Sequence, residues 1–322
     1  MARETVNLAR GGQEAPRRSP ARPARPGSPL RVVPAGEGVQ TLNTPPPGRR
    51  LDLGRRGRTW IREEAGPAGA PTLLMLHGLG ATGGLNWSGS QLFLRDQFNI
   101  VTIDHRGHGR GIRTRDFHLE DCADDAAAVI DALGLDRPIA VGYSMGGPIA
   151  SLLWRRHPEK VGGLVFCATS RNFRGTPGEK LALGTMGMMG LSPMLLPERV
   201  VRGAGRVIRR LPVPHPASVH EVQWAIEEMA GHDPRSVLQA AGAIGQFNSS
   251  SWIGGVDVPT AVVVTTSDQI VPAIRQFRLA RSIPHASVHC IDAGHLCVAG
   301  GDPKVRFLTT LRRACLEVSA DH

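Results

Sequence analysis

Gly142-Tyr143-Ser144-Met145-Gly146 decides the fold of this chain. Ahead of it, Pro138-Ile139-Ala140-Val141 is a short apolar run that reads as a buried strand. Behind it, the stretch from Gly147 to His157 reads as a helix. A strand-to-helix corner this tight pushes one side chain outward, and Gly142 and Gly146 keep the corner free of Cβ clashes. Ser144 is then expected to stand exposed at the carboxyl end of a sheet, a place for a nucleophile. Gly and Ser are common, so the pentapeptide alone says little. The strand before it and the helix after it give it weight.

A serine hydroxyl attacks a carbonyl only when a base takes its proton, and that base must be held in one tautomer. Val262-Val263-Val264-Thr265-Thr266 is a β-branched run leading to Ser267-Asp268. Val288-His289-Cys290-Ile291 is a second strand-like run, followed by Asp292-Ala293-Gly294-His295. Asp268 and His295 are therefore expected past strand ends, on the same rim as Ser144, in the chain order Ser, Asp, His. Two other carboxylates lie near. Asp257 precedes its strand, and Asp292 is too close to His295 in sequence to reach its Nδ1. Upstream, Thr72-Leu73-Leu74-Met75-Leu76 is an apolar strand followed by His77-Gly78-Leu79-Gly80. Acyl transfer needs N–H donors aimed at the developing oxyanion. The backbone of Met145 is one expected donor and that of Leu79 the other, with a shift by one residue to Gly80 left open. His77 and Arg106 read as braces for their loops. Tyr143 either packs under the corner or touches substrate.

These pieces, with Asp104-His105-Arg106-Gly107-His108-Gly109, resemble an α/β hydrolase of the capped esterase, lactonase and C–C-hydrolase type over roughly residues 59–316. Arg110 stands where such chains often carry Ser or Thr. The resemblance implies a Ser144–Asp268–His295 triad with no cofactor. It also covers dehalogenases and epoxide hydrolases, whose nucleophile is Asp, and Ser144 argues against both chemistries.

Strand patterns at 71–76, 99–104, 138–143, 161–167, 258–266 and 286–291 alternate with helical ones. Leu119–Leu133 is the clearest helix, with Cys122, Ala126, Val129, Ile130 and Leu133 on one stripe and Gly134 as its stop. The fold class is α/β, a mostly parallel sheet with helices on both faces. Trp60-Ile61-Arg62 is expected to open the ordered domain as an edge strand. Residues 57–322 form the hydrolase domain, and nearly ninety residues separate the strand ending near Thr169 from that beginning near Val258, far more than a crossover needs. The excess predicts a helical cap over about 171–232, rich in Leu and in Met186, Met188, Met189 and Met194. These side chains either pack the cap on the core or line an acyl pocket.

The formal charge is +10, but residues 1–58 carry twelve arginines against four acidic residues, and the rest is nearly balanced. The catalytic domain therefore does not read as a nucleic-acid binder. Residues 1–56 read as a disordered Arg- and Pro-rich tail. It is an unselective solvated extension or an over-called translation start, an anionic-surface or nucleic-acid contact, or an organellar transit peptide. No stretch is apolar enough for a signal peptide or a membrane span. Five cysteines without a CxxC pair read as reduced thiols of a cytoplasmic protein. No tight ligand pair predicts a metal.

The expected function is hydrolysis of a small-molecule carboxylic ester, lactone or thioester with a small to medium apolar acyl group. C–C bond hydrolysis and haloperoxidase-type perhydrolysis use the same triad and stay open. A non-catalytic binding protein would show a broken triad, which the sequence does not. An interaction protein tethered by its basic tail is a further possibility.

Overall fold

The computed structural model describes residues 46–173 and 219–321. Among these, eight strands occur: β1 (Gly48–Asp52), β2 (Arg58–Glu64), β3 (Thr72–Leu76), β4 (Asn99–Ile103), β5 (Ile139–Tyr143), β6 (Gly163–Cys167), β7 (Thr260–Thr265) and β8 (Ser287–Ile291). They form one sheet in the order β1-β2-β4-β3-β5-β6-β7-β8. β2 runs antiparallel to both of its neighbours, and every pairing from β4 through β8 is parallel. The helices are α1 (Gly83–Leu94), α2 (Leu119–Leu133), α3 (Gly146–Arg156), α4 (Val219–Ala230), α5 (Pro234–Gln246), α6 (Ala273–Ser282) and α7 (Gly301–Ala320).

Successive strand residues point to opposite faces, so a sheet covered on both sides needs apolar residues at every position. The central strands meet that demand. Leu74, Leu76, Ala140, Leu164, Phe166, Val262 and Val264 pack with α2, α3, α5 and α6 on one face. Leu73, Met75, Ile139, Val141, Val165, Cys167 and Val263 pack with α1 and α7 on the other. Trp87 of α1 and Phe307 of α7 are fully buried there, with ring centroids 6.4 Å apart. Truncating either to alanine would cost about 3–5 kcal/mol.

Helix α2 has the bounds its apolar stripe predicts. It stops because Gly134 turns left-handed (φ 61°), where only glycine goes without strain. Its N–H returns to the carbonyls of Ile130 and Asp131, and Leu135 N–H bonds Ile130 O at 3.0 Å.

The expected amino-terminal boundary is corrected. The ordered domain does not begin at 57 with Trp60 on an edge strand. β1 pairs with β2 from Gly48↔Arg62 to Asp52↔Arg58 and is itself the edge. Leu51 is buried in the core, Leu53 follows it inside, and Arg49 bonds Glu63 across the ladder at 2.6 Å. The charges on β1 face solvent, as an edge strand tolerates. Of the cap expected at 171–232, residues 174–218 lie outside the described residues, and Met186, Met188, Met189 and Met194 are among them. No described helix is long and apolar enough to cross a membrane.

Candidate active site

Each loop in question leaves the carboxyl end of a parallel strand, where open α/β sheets place their sites. Ser144 follows β5, Asp268 lies just past β7, His295 just past β8, and His77–Gly80 just past β3.

Ser144 occupies a left-handed conformation (φ 51°) that non-glycine residues rarely adopt. The strain is held from several sides. Ser144 N–H bonds Cys167 O at 2.9 Å, and Ser144 O accepts from Gly147 N–H at 3.0 Å and Thr169 Oγ1 at 2.7 Å. The flanking glycines are obligatory by space. A Cβ on Gly142 would lie 2.3 Å from Gly146 O, and one on Gly146 would lie 2.1 Å from Leu76 O.

Ser144 Oγ lies 3.0 Å from His295 Nε2, and His295 Nδ1 lies 2.8 Å from Asp268 Oδ2. Asp268 is well supplied with donors. Its Oδ1 accepts from the N–H groups of Ile270 (2.8 Å) and Val271 (2.9 Å), and its Oδ2 accepts from Thr265 Oγ1 (2.8 Å) and Gln276 Nε2 (3.3 Å). Burial alone would raise this carboxyl. The His295 hydrogen bond and charge, with Val271 N–H and the Thr265 hydroxyl, outweigh it and hold the pKa below the ordinary value. The two other carboxylates are elsewhere: Asp292 accepts from Ser267 Oγ at the surface, and Asp257 accepts from Trp154 Nε1.

Tyr143 packs under the corner. Its ring is edge-on to Trp87 and Phe307, its hydroxyl donates to the backbone carbonyl of His295, and Cys297 Sγ lies 3.5 Å away. A phenol held between the end of β5 and the loop of His295 fixes the spacing of the two.

The loop after β3 abuts Ser144, since a Cβ on Gly78 would touch Ser144 Cβ at 3.4 Å. Gly78 N–H is committed to Asn86 Oδ1 (3.0 Å). The N–H groups of Leu79 and Met145 have no acceptor among the described residues. Gly78 O accepts from His77 Nδ1–H (2.7 Å) and from Ala81 N–H (3.3 Å). A trans peptide points its C=O and N–H in opposite directions, so anchoring Gly78 O inward turns Leu79 N–H outward. His77 Nε2 in turn accepts from His105 N–H (3.0 Å), which fixes its tautomer. Burial among neighbouring imidazoles keeps His77 far below the usual histidine range, and it stays neutral.

Arg106 braces its loop on α2. Its Nε and Nη2 donate to buried Asp125 at 2.7 and 2.8 Å, and Arg56 Nε reaches the same carboxylate at 2.6 Å. Arg110 lies over the Trp60 ring, 4.6 Å from its centroid, and 3.6 Å from Glu228. Sequence reasoning missed Glu228 and His232. Glu228 is buried, accepting from Arg62 Nη2 (2.8 Å) and Thr82 Oγ1 (2.6 Å). A glutamate at the apolar end of α4 is the only sign the sequence carries, and it names no partner.

Known hydrolases share this fold. Residues 71–185 match the family described as alpha/beta hydrolase fold. A putative carbamate hydrolase, RutD, of Agrobacterium fabrum is 28% identical over 70% of this chain and 86% of its own length. The structure of an N-acyl homoserine lactone degrading enzyme, Est816, is 27% identical, with a TM-score of 0.58 over 79% of this chain and 96% of that one. The enol-lactonase of Burkholderia xenovorans, 21% identical, superposes with a TM-score of 0.62 over 80% and 97% of the two chains. The chain has the α/β-hydrolase fold.

Proposed function

We propose that this protein is a serine hydrolase that cleaves a carboxylic ester, lactone or thioester through an acyl-enzyme. The hydrogen-bonded run from Ser144 Oγ through His295 to Asp268, 3.0 and 2.8 Å per link, carries the reading. Asp268, held ionised, keeps the His295 proton on Nδ1 and leaves the Nε2 lone pair facing Ser144. As Oγ attacks the acyl carbon, Nε2 takes its proton. The N–H groups of Leu79 and Met145 receive the oxyanion. His295 then returns the proton to the leaving oxygen or sulfur, and the acyl group stays on Ser144. Water deprotonated by the same Nε2 releases the acid. The relatives include a putative carbamate hydrolase and an N-acyl homoserine lactone degrading enzyme, and carbamates and acyl homoserine lactones both carry an acyl carbon open to such attack, which supports this chemistry.

The acyl group is small to medium and apolar. The sequence over 171–232 is rich in Met and Leu, flexible apolar residues suited to groups of varied shape, and exposed Leu296 adjoins His295. Each buried methylene improves binding by about 0.8 kcal/mol until the space is filled. On p-nitrophenyl esters kcat/KM should rise from acetate to butyrate or hexanoate and then fall. A fluorophosphonate should label Ser144, and Ser144→Ala should abolish both labelling and turnover. Labelling at another residue, or turnover that survives in Ser144→Ala, overturns the nucleophile. Rates still climbing at palmitate overturn the acyl preference.

A further inference from the structure

Four buried imidazoles lie behind the loop that follows β3. His77 and His105 have ring centroids 4.2 Å apart, His77 and His108 5.3 Å, and His108 and His232 5.4 Å. They do not make a metal centre, since among the described residues no three such side chains are arranged to hold an ion. His232 sits in the turn between α4 and α5, and its two ring nitrogens reach two different loops. Nδ1 accepts from Gly109 N–H at 2.7 Å, and Nε2 lies 3.0 Å from Gly80 O.

A backbone N–H can only donate, so Nδ1 of His232 must be the unprotonated nitrogen. The proton then sits on Nε2 and is donated to Gly80 O. Gly80 closes the turn that carries Leu79, and its φ of +67° is one only glycine adopts freely. The turn is thus gripped by imidazole N–H groups at both ends, His77 on Gly78 O and His232 on Gly80 O. Glu228, on the last turn of α4, adds a third grip: Oε2 accepts from Thr82 Oγ1 at 2.6 Å, and Thr82 in turn caps α1 by accepting Leu85 N–H. The seat of this end of α4 is close-fitting. A Cβ on Gly231 would lie 2.7 Å from Gly109 O, and Asp233 N–H bonds Gly107 O at 2.9 Å. Burial lowers the pKa of His232, which favours the neutral ring this bonding pattern needs.

We infer that His232 is a positioning residue for the oxyanion turn: donating from Nε2 to Gly80 O while accepting from Gly109 N–H, it makes the aim of the Leu79 N–H depend on how the end of α4 is seated. The inference rests on the proposed role of Leu79. A donor misaimed by a fraction of an ångström loses part of the 10²- to 10³-fold that a whole donor supplies.

Two amides separate this from simple packing. In His232→Gln the side-chain NH₂ falls where Nε2 was and keeps the bond to Gly80. In His232→Asn the shorter amide meets Gly109 only. His232→Asn should lower kcat on a p-nitrophenyl ester by about tenfold or more with little change in KM, and should speed hydrogen exchange in residues 78–82. His232→Gln should keep most of kcat and the exchange protection, although both variants melt lower than the wild type. Equal losses in the two variants, tracking their melting temperatures, would make His232 a packing residue and overturn the inference. Unchanged exchange over 78–82 in His232→Asn overturns it as well. Faster exchange with undiminished kcat would instead uphold the clamp and remove Leu79 from the oxyanion site.

Discussion

Replacing Asp268 by Asn tests the proposed mechanism most sharply, because the structure dictates how the new amide must lie. Oδ1 of Asp268 accepts two backbone N–H groups, from Ile270 and Val271, at 2.8 and 2.9 Å. An NH₂ group there would face two fixed backbone donors, whereas at Oδ2 the Thr265 hydroxyl can turn, His295 can shift its proton and the Gln276 NH₂ is a longer 3.3 Å away, so the asparagine keeps its carbonyl at the Oδ1 position. Its NH₂ is then forced to the Oδ2 side, against His295 Nδ1, now 2.8 Å from a carboxylate oxygen. Facing a donor, Nδ1 must accept, and the ring proton moves to Nε2, where it confronts Ser144 Oγ and cannot take its proton. Shape and packing are nearly unchanged while the base is in the wrong tautomer. Loss of kcat on the order of 10⁴ is expected, equivalent to about 5 kcal/mol in the barrier. Steady-state turnover of a p-nitrophenyl ester gives the number, and thermal melts show whether the fold is retained. Asp292→Asn is the control: its carboxylate touches Ser267 Oγ at the surface, and turnover should stay within about twofold. A fall of less than tenfold in Asp268→Asn, or a greater fall in Asp292→Asn, would refute the assignment.

Tyr143 is the chain's single tyrosine, and burial pushes its phenol well above the ordinary value. A spectrophotometric titration should show no tyrosinate until alkaline unfolding; ionisation in the folded protein near the ordinary pKa would contradict the buried hydrogen bond to His295 O. Tyr143→Phe removes that bond and should cost about 1 kcal/mol of stability in denaturant melts, with a several-fold loss of kcat as the base loop loosens. Removing residues 1–45 should leave the melting temperature unchanged, whereas removing residues 1–52 strips β1 and the buried Leu51, costing about 2 kcal/mol or more. Equal melting temperatures for the two truncations would deny β1 a part in the fold.

What the sequence makes legible follows from which interactions use side chains. The sheet interior is readable because the strands from β3 to β7 are apolar at nearly every position, and the corner at Ser144 is readable because its glycines are demanded by backbone contacts. β1 escapes because only Leu51 of Gly48–Asp52 is buried, and two arginines disguise the alternation. α1 escapes for a different reason: its buried face holds Gly83, Gly84, Asn86, Ser90 and Gln91 beside Trp87 and Leu94, so no apolar stripe marks it. His232 is illegible because both of its partners are backbone atoms of glycines more than a hundred residues away. A pattern of side chains cannot announce a bond made to the main chain.

The sheet order has a consequence for synthesis. β6 lies between β5 and β7, and β7 leaves the ribosome long after β6. At translation speeds of ~5–20 residues per second, the separation of about 90 residues leaves the outer edge of β6 waiting roughly 5–20 s for its partner. That edge, Gly163-Leu164-Val165-Phe166-Cys167, bears no charge and no proline to deter pairing with another chain. Over the same interval the nascent chain holds Ser144 and the turn after β3, but neither Asp268 nor His295. Chaperone demand during translation should therefore peak between residues 167 and 260.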